Sequence, residues 1–292
     1  MDESTWLAQR FERHRTRLRA VAYQMLGSVS EADDAVQETW LRLNRTDANG
    51  IMDLEGWLIT AVARACLDRL RWRRSRQERP LEGHVPEPIV SREDGAHPEH
   101  AALLGDAIGL ALLVVLDTLA PAERLAFVLH DVFGMPFAEI APLVGRTTSA
   151  TRQLASRARR RVRQAPVPDP DLRRQRAVVD AFFAATRAGD FDALLAVLDP
   201  DVIVRADFGA LPGERREVRG AQSVAEQTLN FARFTAFGRP ALVNGAVGVV
   251  AAQRGMRYAV MGFTVRDGRI VEIDILADPA RLQHLDLAGL DK

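Results

Sequence analysis

The stretch from Met135 to Arg163 limits the fold more than any other. MPFAEIAPLVG (Met135–Gly145) carries apolar spacing for about two helical turns and closes on glycine, which tolerates the left-handed conformation that ends many helices. RTTSATRQLASRARRRVR (Arg146–Arg163) follows, with Thr147 or Thr148 as N-cap, apolar Ala150, Leu154, Ala158 and Val162 at helical spacing, and arginines elsewhere. From Ile140 to Pro168 there are seven arginines and no carboxylate. A short helix, a glycine turn and a longer basic helix make a helix-turn-helix, and the charge suits a polyanion. Thr148 opens the second helix, where Ser149, Arg152, Gln153 and Ser156 share the face away from Leu154 and Ala158. Arg152 matches guanine and Gln153 adenine, each worth roughly 1–3 kcal/mol of base discrimination. Arg157, Arg159, Arg160, Arg161 and Arg163 suit phosphate, or in part a protein surface.

The rest of the chain divides around two proline clusters. Pro80, Pro86, Pro88 and Pro98 interrupt one segment, and Pro166, Pro168 and Pro170 another. Proline fixes φ and removes a donor, so both clusters mark linkers rather than packed elements. Before the first, Phe11, Leu18, Val21, Ala22, Met25 and Leu26 recur at helical spacing up to Gly27. Ser30 is the expected N-cap of EADDAVQETWLRL (Glu31–Leu43), whose first turn carries Glu31, Asp33 and Asp34 as a helix dipole favours. Ala35, Val36, Thr39, Trp40 and Leu43 line its apolar face, and Asp33, Asp34, Gln37 and Glu38 stay polar, either a docking face or ordinary charge at a helix N-terminus. A third helix runs from Leu54 to about Arg74 and ends in the basic, aromatic string RLRWRRSR. There Arg69, Trp72 and Arg73 suit bases pulled from a stack. Trp40, Trp57 and the lone Cys66 read as core. One cysteine excludes an internal disulfide and any multi-cysteine metal site. Apolar runs fall short of the ~18 residues a membrane helix needs, and MDESTWLAQRFERHR is charged from the start, so a cytoplasmic protein with no membrane span is expected.

Beyond the second linker the period changes. Leu172–Thr186 and Phe191–Val202 read as helices, the latter ending at Pro200. Then come VIVRADF, PALVNGAVGVVAAQ, RYAVMGFTVRDG and RIVEIDIL, with Asp267-Gly268 as a hairpin turn. Helices followed by a curved antiparallel sheet make an α+β cone. An enzyme on such a cone needs an acid or base inside its cavity. Arg205, Asp207, Tyr258 and Asp274 are the candidates, and Asp207 beside Arg205 reads as a structural pair. No catalytic triad, phosphate loop, metal cluster or cofactor motif emerges, so no enzyme activity and no cofactor is expected.

The first two blocks resemble an extracytoplasmic-function (ECF) sigma factor of the sigma-70 class. AYQMLGSVSEADDAVQETWLRL and LEGWLITAVARACLDRLR resemble sigma region 2, and LDTLAPAERLAFVLHDVFGMPFAEIAPLVGRTTSATRQLASRARRRV resembles sigma region 4. The third block resembles a SnoaL-like domain, as in the subgroup whose tail is regulatory. The resemblance implies a multidomain protein: two all-α domains, a region 2 bundle over 1–76 and a region 4 helix-turn-helix over 99–164, then an α+β SnoaL-like cone over 172–292. Residues 77–98 and 165–171 would be linkers. It implies core RNA polymerase as partner, through the β′ clamp and β flap, and promoter DNA. Asp33, Asp34, Gln37 and Glu38 would dock on polymerase. Arg69, Trp72 and Arg73 would serve the −10 region, and Thr148, Ser149, Arg152, Gln153, Ser156, Arg157 and Arg160 the −35 element. Of the subgroup's linker string, His84-Val85-Pro86-Glu87-Pro88 keeps Pro86, Glu87 and Pro88. Of its tail string, Asp207-Phe208-Gly209 keeps Asp207 and Gly209, and these five are the expected regulatory residues. An unidentified small ligand in the C-terminal cavity is compatible with the resemblance. A polymerase-independent helix-turn-helix regulator and a DNA-tethered cyclase or isomerase fit the same residues. Residues 77–98 span at most about 75 Å extended, against roughly 70 Å for two DNA turns. A free coil of that length averages nearer 26 Å, so the two helical blocks should lie close together off the polymerase.

Overall fold

Glu3–Leu26 (α1), Val29–Leu43 (α2) and Leu54–Ser75 (α3) are the helices that the periodicity predicts. The computed structural model describes residues 3–46, 50–75, 84–93, 109–209, 217–230, 238–253 and 256–285, the side chains of 3–5, 253 and 256–258 excepted. Gly27, at φ 70°, ends α1. The N-cap of α2 is Ser28, not Ser30: its extended backbone lets Oγ accept the Glu31 N–H, and Ser30 sits inside the first turn. Ala32, Ala35, Val36, Thr39 and Leu43 bury one face of α2. Thr39 goes in without penalty because its hydroxyl donates to Ala35 O at 2.8 Å.

By their internal contacts, residues 1–79 with 115–164 form one compact unit, and 80–114 with 165–292 a second. The first unit unites the N-terminal bundle with the helix-turn-helix block. Leu110–Thr118 (α4) leads into Pro121–Phe127 (α5), which continues through a π-helical turn at Val128–Val132. Arg124 on α5 is buried, its Nε donating to Gln24 O of α1 at 2.9 Å and its NH1 pairing with Asp117. Phe137–Val144 (α6) ends at Gly145, φ 66°, and Thr148–Val162 (α7) begins behind Thr147, whose Oγ1 accepts the Ala150 N–H. Thr151, Ala155 and Ala158 are the buried seam of α7, with Ala150, Leu154 and Val162 half-buried. The expected stripe is thus rotated by about one residue. Thr151 can occupy its centre because its hydroxyl donates to Thr147 O at 3.0 Å.

The second unit holds Val90–Ser91 (β1), Leu172–Ala188 (α8), Phe191–Val197 (α9), Leu198–Asp207 (β2), Glu217–Arg219 (β3), Ala221–Asn230 (α10), Gly238–Val243 (β4), Ala246–Gln253 (β5), Met256–Arg266 (β6), Arg269–Leu276 (β7) and Pro279–Leu282 (α11). Its sheet runs β1-β4-β5-β6-β7-β2-β3. It is mixed rather than antiparallel throughout: β2 and β7 pair in parallel, with Val204 opposite Ile273 and Arg205 opposite Asp274. The expected helix to Val202 stops at Val197. Pro200 lacks the N–H a helix interior requires, and Leu198–Val202 enter the strand instead. Asp267 and Gly268 both take positive φ in the predicted β6–β7 hairpin, and Asn244 and Gly245 do the same between β4 and β5. Phe182, Phe183 and Phe263 meet edge-on, with centroids 5.5–5.8 Å apart, at the heart of the core between α8–α10 and the sheet.

Candidate nucleic-acid interface and linker latch

On α7 the structure exposes Ser149, Arg152, Gln153, Ser156, Arg157 and Arg160 and half-buries Thr148. The arginines differ in what holds them. Arg157 Nε lies 3.1 Å from Glu123 Oε1, Arg161 NH1 lies 3.8 Å from Glu123 Oε2 and donates to Thr118 O, and Arg159 binds Asp131 at 2.6 Å. Glu123 and Asp131 lie in the preceding helical segment, so the carboxylate-free sequence run is partly neutralised in space. Arg146, Arg160 and Arg163 carry no ion pair among the described residues, and Arg152 lies over the Phe137 ring. Sequence inspection missed Glu123, a capping-box residue buried at the start of α5.

In the N-terminal bundle, Asp33, Asp34, Gln37 and Glu38 project to solvent from α2. Arg19 grips Asp33 with two bonds, at 2.5 and 2.9 Å. Arg69 of α3 lies 3.7 Å from Asp34 and 3.4 Å from Glu38, and donates to Glu31 O at 3.2 Å. Arg73 pairs with Glu31. The acidic face of α2 and the basic end of α3, separate in the sequence reading, therefore share ion pairs. Trp72 is 52% exposed, whereas Trp40 is half-buried and packs on Phe11. Met52 is fully exposed in the loop before α3, and residues 47–49 of that loop lie outside the described residues. Cys66 is buried, and burial pushes its thiol up to about 12.

The proline-marked segment 77–98 contains a packed element. Residues 76–83 and 94–108 lie outside the described residues, but Val85, Pro86, Glu87, Pro88, Ile89 and Val90 are all buried in the second unit. Val90 and Ser91 pair with Val243 and Leu242 as an edge strand. The Ile89 N–H donates to Asn244 Oδ1 at 2.9 Å, and the Asn244 N–H returns to Ile89 O at 2.8 Å. Pro86 and Pro88 fit because they precede the strand, in a stretch outside the ladder. At the other end Asp207 Oδ2 accepts from Val85 N–H at 3.3 Å and from Arg281 NH1 at 2.7 Å, with His84 Nδ1 at 3.0 Å. Arg281 NH2 donates to Val85 O at 2.7 Å. Burial alone would raise the Asp207 carboxyl, but His84, the Gly209 N–H and Arg281 hold it at about 2. Gly209 is required twice over. Its φ is 72°, and a Cβ there would meet the Asp278 carboxylate at 2.7 Å, the group that caps α11 and so places Arg281. Pro86, Glu87, Pro88, Asp207 and Gly209 therefore belong to one assembly. Arg281, His84 and Asn244 complete it, and the Asn244-Gly245 dipeptide was the readable signal for the last.

Arg205 does not pair with Asp207. It reaches Asp274 at 3.1 Å, Glu272 at 3.0 Å and Glu217 at 3.8 Å. Burial is the largest influence on Asp274 and raises its carboxyl to about 6, since one guanidinium cannot neutralise three carboxylates. The same neighbours outweigh burial at Arg205 and raise it. Val204 and Ile273 face the helices, so alternation along the strands puts Arg205, Glu272 and Asp274 on the opposite side from the aromatic core. The described interior is filled by Phe182, Phe183, Phe263, Leu194, Leu198 and Val202. The Tyr258 side chain lies outside those described.

Comparison with known proteins matches this architecture part by part. The model "Sigma-70 region 2" covers residues 10–76, "Sigma-70, region 4" covers 109–162 and "SnoaL-like domain" covers 179–273. The chain is 38% identical over 287 residues to "ECF RNA polymerase sigma factor SigJ" of Mycobacterium tuberculosis, covering 92% of this chain and 91% of that one. It is 36% identical to "Probable ECF RNA polymerase sigma factor SigI" of the same species, covering 93% of each. The crystal structure of Mycobacterium tuberculosis SigJ superposes with a TM-score of 0.78 at 35% identity, over 96% of this chain and 99% of that one. With both sigma regions and the fused tail matched in order along nearly the whole length, the chain belongs to the extracytoplasmic-function sigma-70 family, in the form that carries a C-terminal SnoaL-like domain.

Proposed function

We propose that this sigma factor binds core RNA polymerase and directs promoter-specific initiation in the cytoplasm, and that its tail modulates that activity in cis. In this reading the exposed face of α7 reads the −35 element and Arg160 holds phosphate. Trp72, with Arg69 and Arg73, serves the −10 region. Asp33, Asp34, Gln37 and Glu38 dock on the β′ clamp, and the helix-turn-helix unit meets the β flap. The boundaries follow as region 2 over 1–76, a linker over 77–98, region 4 over 99–164, a short linker over 165–171 and the regulatory domain over 172–292. One observation carries the regulatory part: within the segment between the two sigma regions, Val90 and Ser91 are an edge strand of the tail's sheet and Val85 is held by Asp207 and Arg281. The tail acts without enzymatic turnover in this reading, because among its described residues the buried carboxylates Glu272 and Asp274 are committed to Arg205 on the face away from the aromatic core, and Asp207 to Arg281 and Val85. The test is transcription by reconstituted holoenzyme, with transcript 5′ ends sequenced. The full chain should add specific start sites that core enzyme lacks, and Asp207→Ala should change their output. An unaided helix-turn-helix regulator would instead bind duplex promoter equally well without core enzyme.

A further inference from the structure

Of the four base-reading candidates Ser149, Arg152, Gln153 and Ser156, Arg152 has a ring neighbour among the described residues. Its guanidinium carbon lies 5.9 Å from the centroid of Phe137, the first residue of α6. Phe137 is itself backed on another ring: His130 stacks on it with centroids 3.7 Å apart and planes 29° from parallel. His130 is in turn fixed. Its Nδ1 lies 2.9 Å from Met135 O, and a carbonyl only accepts, so Nδ1 carries the proton of that bond. His130 sits in the π-helical turn at Val128–Val132, a local widening that often marks functional positions. A chain of contacts thus runs from the π turn through the first helix of the motif to the exposed guanidinium of the second.

We infer that Phe137 is a positioning residue for base readout: its ring, held from behind by His130, presents the Arg152 guanidinium in a plane ready for the O6 and N7 acceptors of a guanine. A guanidinium is planar, weakly hydrated and stacks on aromatic faces, which a lysine in its place would not reproduce. Without a platform, Arg152 would surrender most of its rotamer freedom at the moment of docking, and the bidentate geometry that separates guanine from other bases would be less often populated. The inference rests on the proposed −35 role of α7, and the experiment separates the two.

Holoenzyme is assembled from core polymerase and the full chain, and promoter binding is measured with each base substituted at every −35 position. Arg152→Ala should erase the base preference at one position. Phe137→Leu, which keeps apolar bulk and removes the π face, should weaken the preference at that same position about two- to fivefold and leave the others unchanged. Phe137→Tyr should restore it, and Phe137→Leu should have no further effect on base preference in the Arg152→Ala background. A uniform loss across all positions in Phe137→Leu, an equal loss in the Arg152→Ala background, or failure of Phe137→Tyr to restore the preference would overturn the positioning role. If Arg152→Ala leaves every preference intact, the −35 reading of Arg152 fails first, and the inference falls with it.

Discussion

Replacing Asp207 with alanine should release the linker from the tail, and the size of the effect follows from what the carboxylate holds. Its oxygens accept from Val85 N–H, Gly209 N–H and Arg281, with His84 alongside, in a site where the residue is 5% exposed. Hydrogen bonds to a charged group contribute about 1.5–3 kcal/mol each, and a buried donor left alone costs about 1–3 kcal/mol. Val85 has no exposed surface, so its N–H is such a donor. These effects overlap, and roughly 3 kcal/mol is a reasonable sum for local opening of residues 84–88, about two powers of ten in hydrogen exchange. Exchange measured on the full chain should show Val85 losing protection by that factor. Ile89, which is held separately by Asn244, should lose much less. Arg281→Gln removes the bond to Val85 O and one partner of Asp207, and should open the same segment. Because both variants dismantle one network, the double variant should be less costly than the sum. Unchanged protection at Val85 in Asp207→Ala, or strict additivity of the two variants, would refute the reasoning.

Other expectations come from charge and burial. Asp274 is raised to about 6, above an unfolded value near 3.9, so the native state binds the extra proton in between. Stability of the second unit should therefore fall as pH rises from about 4 through 6, by at most about 1.4 kcal/mol per pH unit. Asp274→Asn should flatten that slope in denaturant titrations; an unaltered slope would exclude Asp274 as its source. Asp207 acts in the opposite sense and in another window, since its contribution is complete above about 3.9 and is lost as pH falls toward 2. In salt titrations of promoter binding, Arg160→Ala should reduce the slope of log K against log salt by about 0.9, as loss of one phosphate contact requires. Arg157→Ala, whose guanidinium faces Glu123, should change it far less. Cys66 should resist thiol reagents until the chain unfolds, because burial holds its thiol protonated to about 12.

Local chemistry made much of this molecule readable. Apolar residues at helical spacing located α1, α2, α3 and α8, Gly145 located the turn before α7, and Asp267-Gly268 located a hairpin. Each of those signals acts within a few residues of the structure it causes. The misreadings involve partners far apart in sequence. Val90 and Ser91 form only two residues of strand, paired to β4 about 150 residues later, and nothing near them announces a sheet. Pro86 and Pro88 do mark irregular backbone, but that backbone is buried and leads straight into the strand. Arg205 was matched with Asp207 because they are close in sequence, but residues two apart on a strand share a face without opposing a neighbour. The parallel register of β2 and β7 offered Asp274 instead. Counting charge along α7 likewise overlooked Glu123 and Asp131, which come from other helices to neutralise three of its arginines.

The latch gives the proposed regulation a definite physical form. A linker of this length must be almost fully stretched to let the two sigma regions sit two DNA turns apart. Only Val90 and Ser91 of it are strand, and 84–89 are held by the Asp207, Arg281 and Asn244 bonds, so residues 84–91 can stay on the tail while the rest of the linker supplies the reach. What the latch fixes is the tail, which must then travel with the linker into whatever space the polymerase leaves for it. Where that space suffices, the tail holds this part of the linker in place and assists assembly. Where it does not, assembly has to break the Asp207 and Arg281 bonds first, and the tail restrains initiation by their worth. Asp207→Ala decides between these by sign: lower output identifies a scaffold, higher output a brake, and equal output would mean that the latch has no part in initiation.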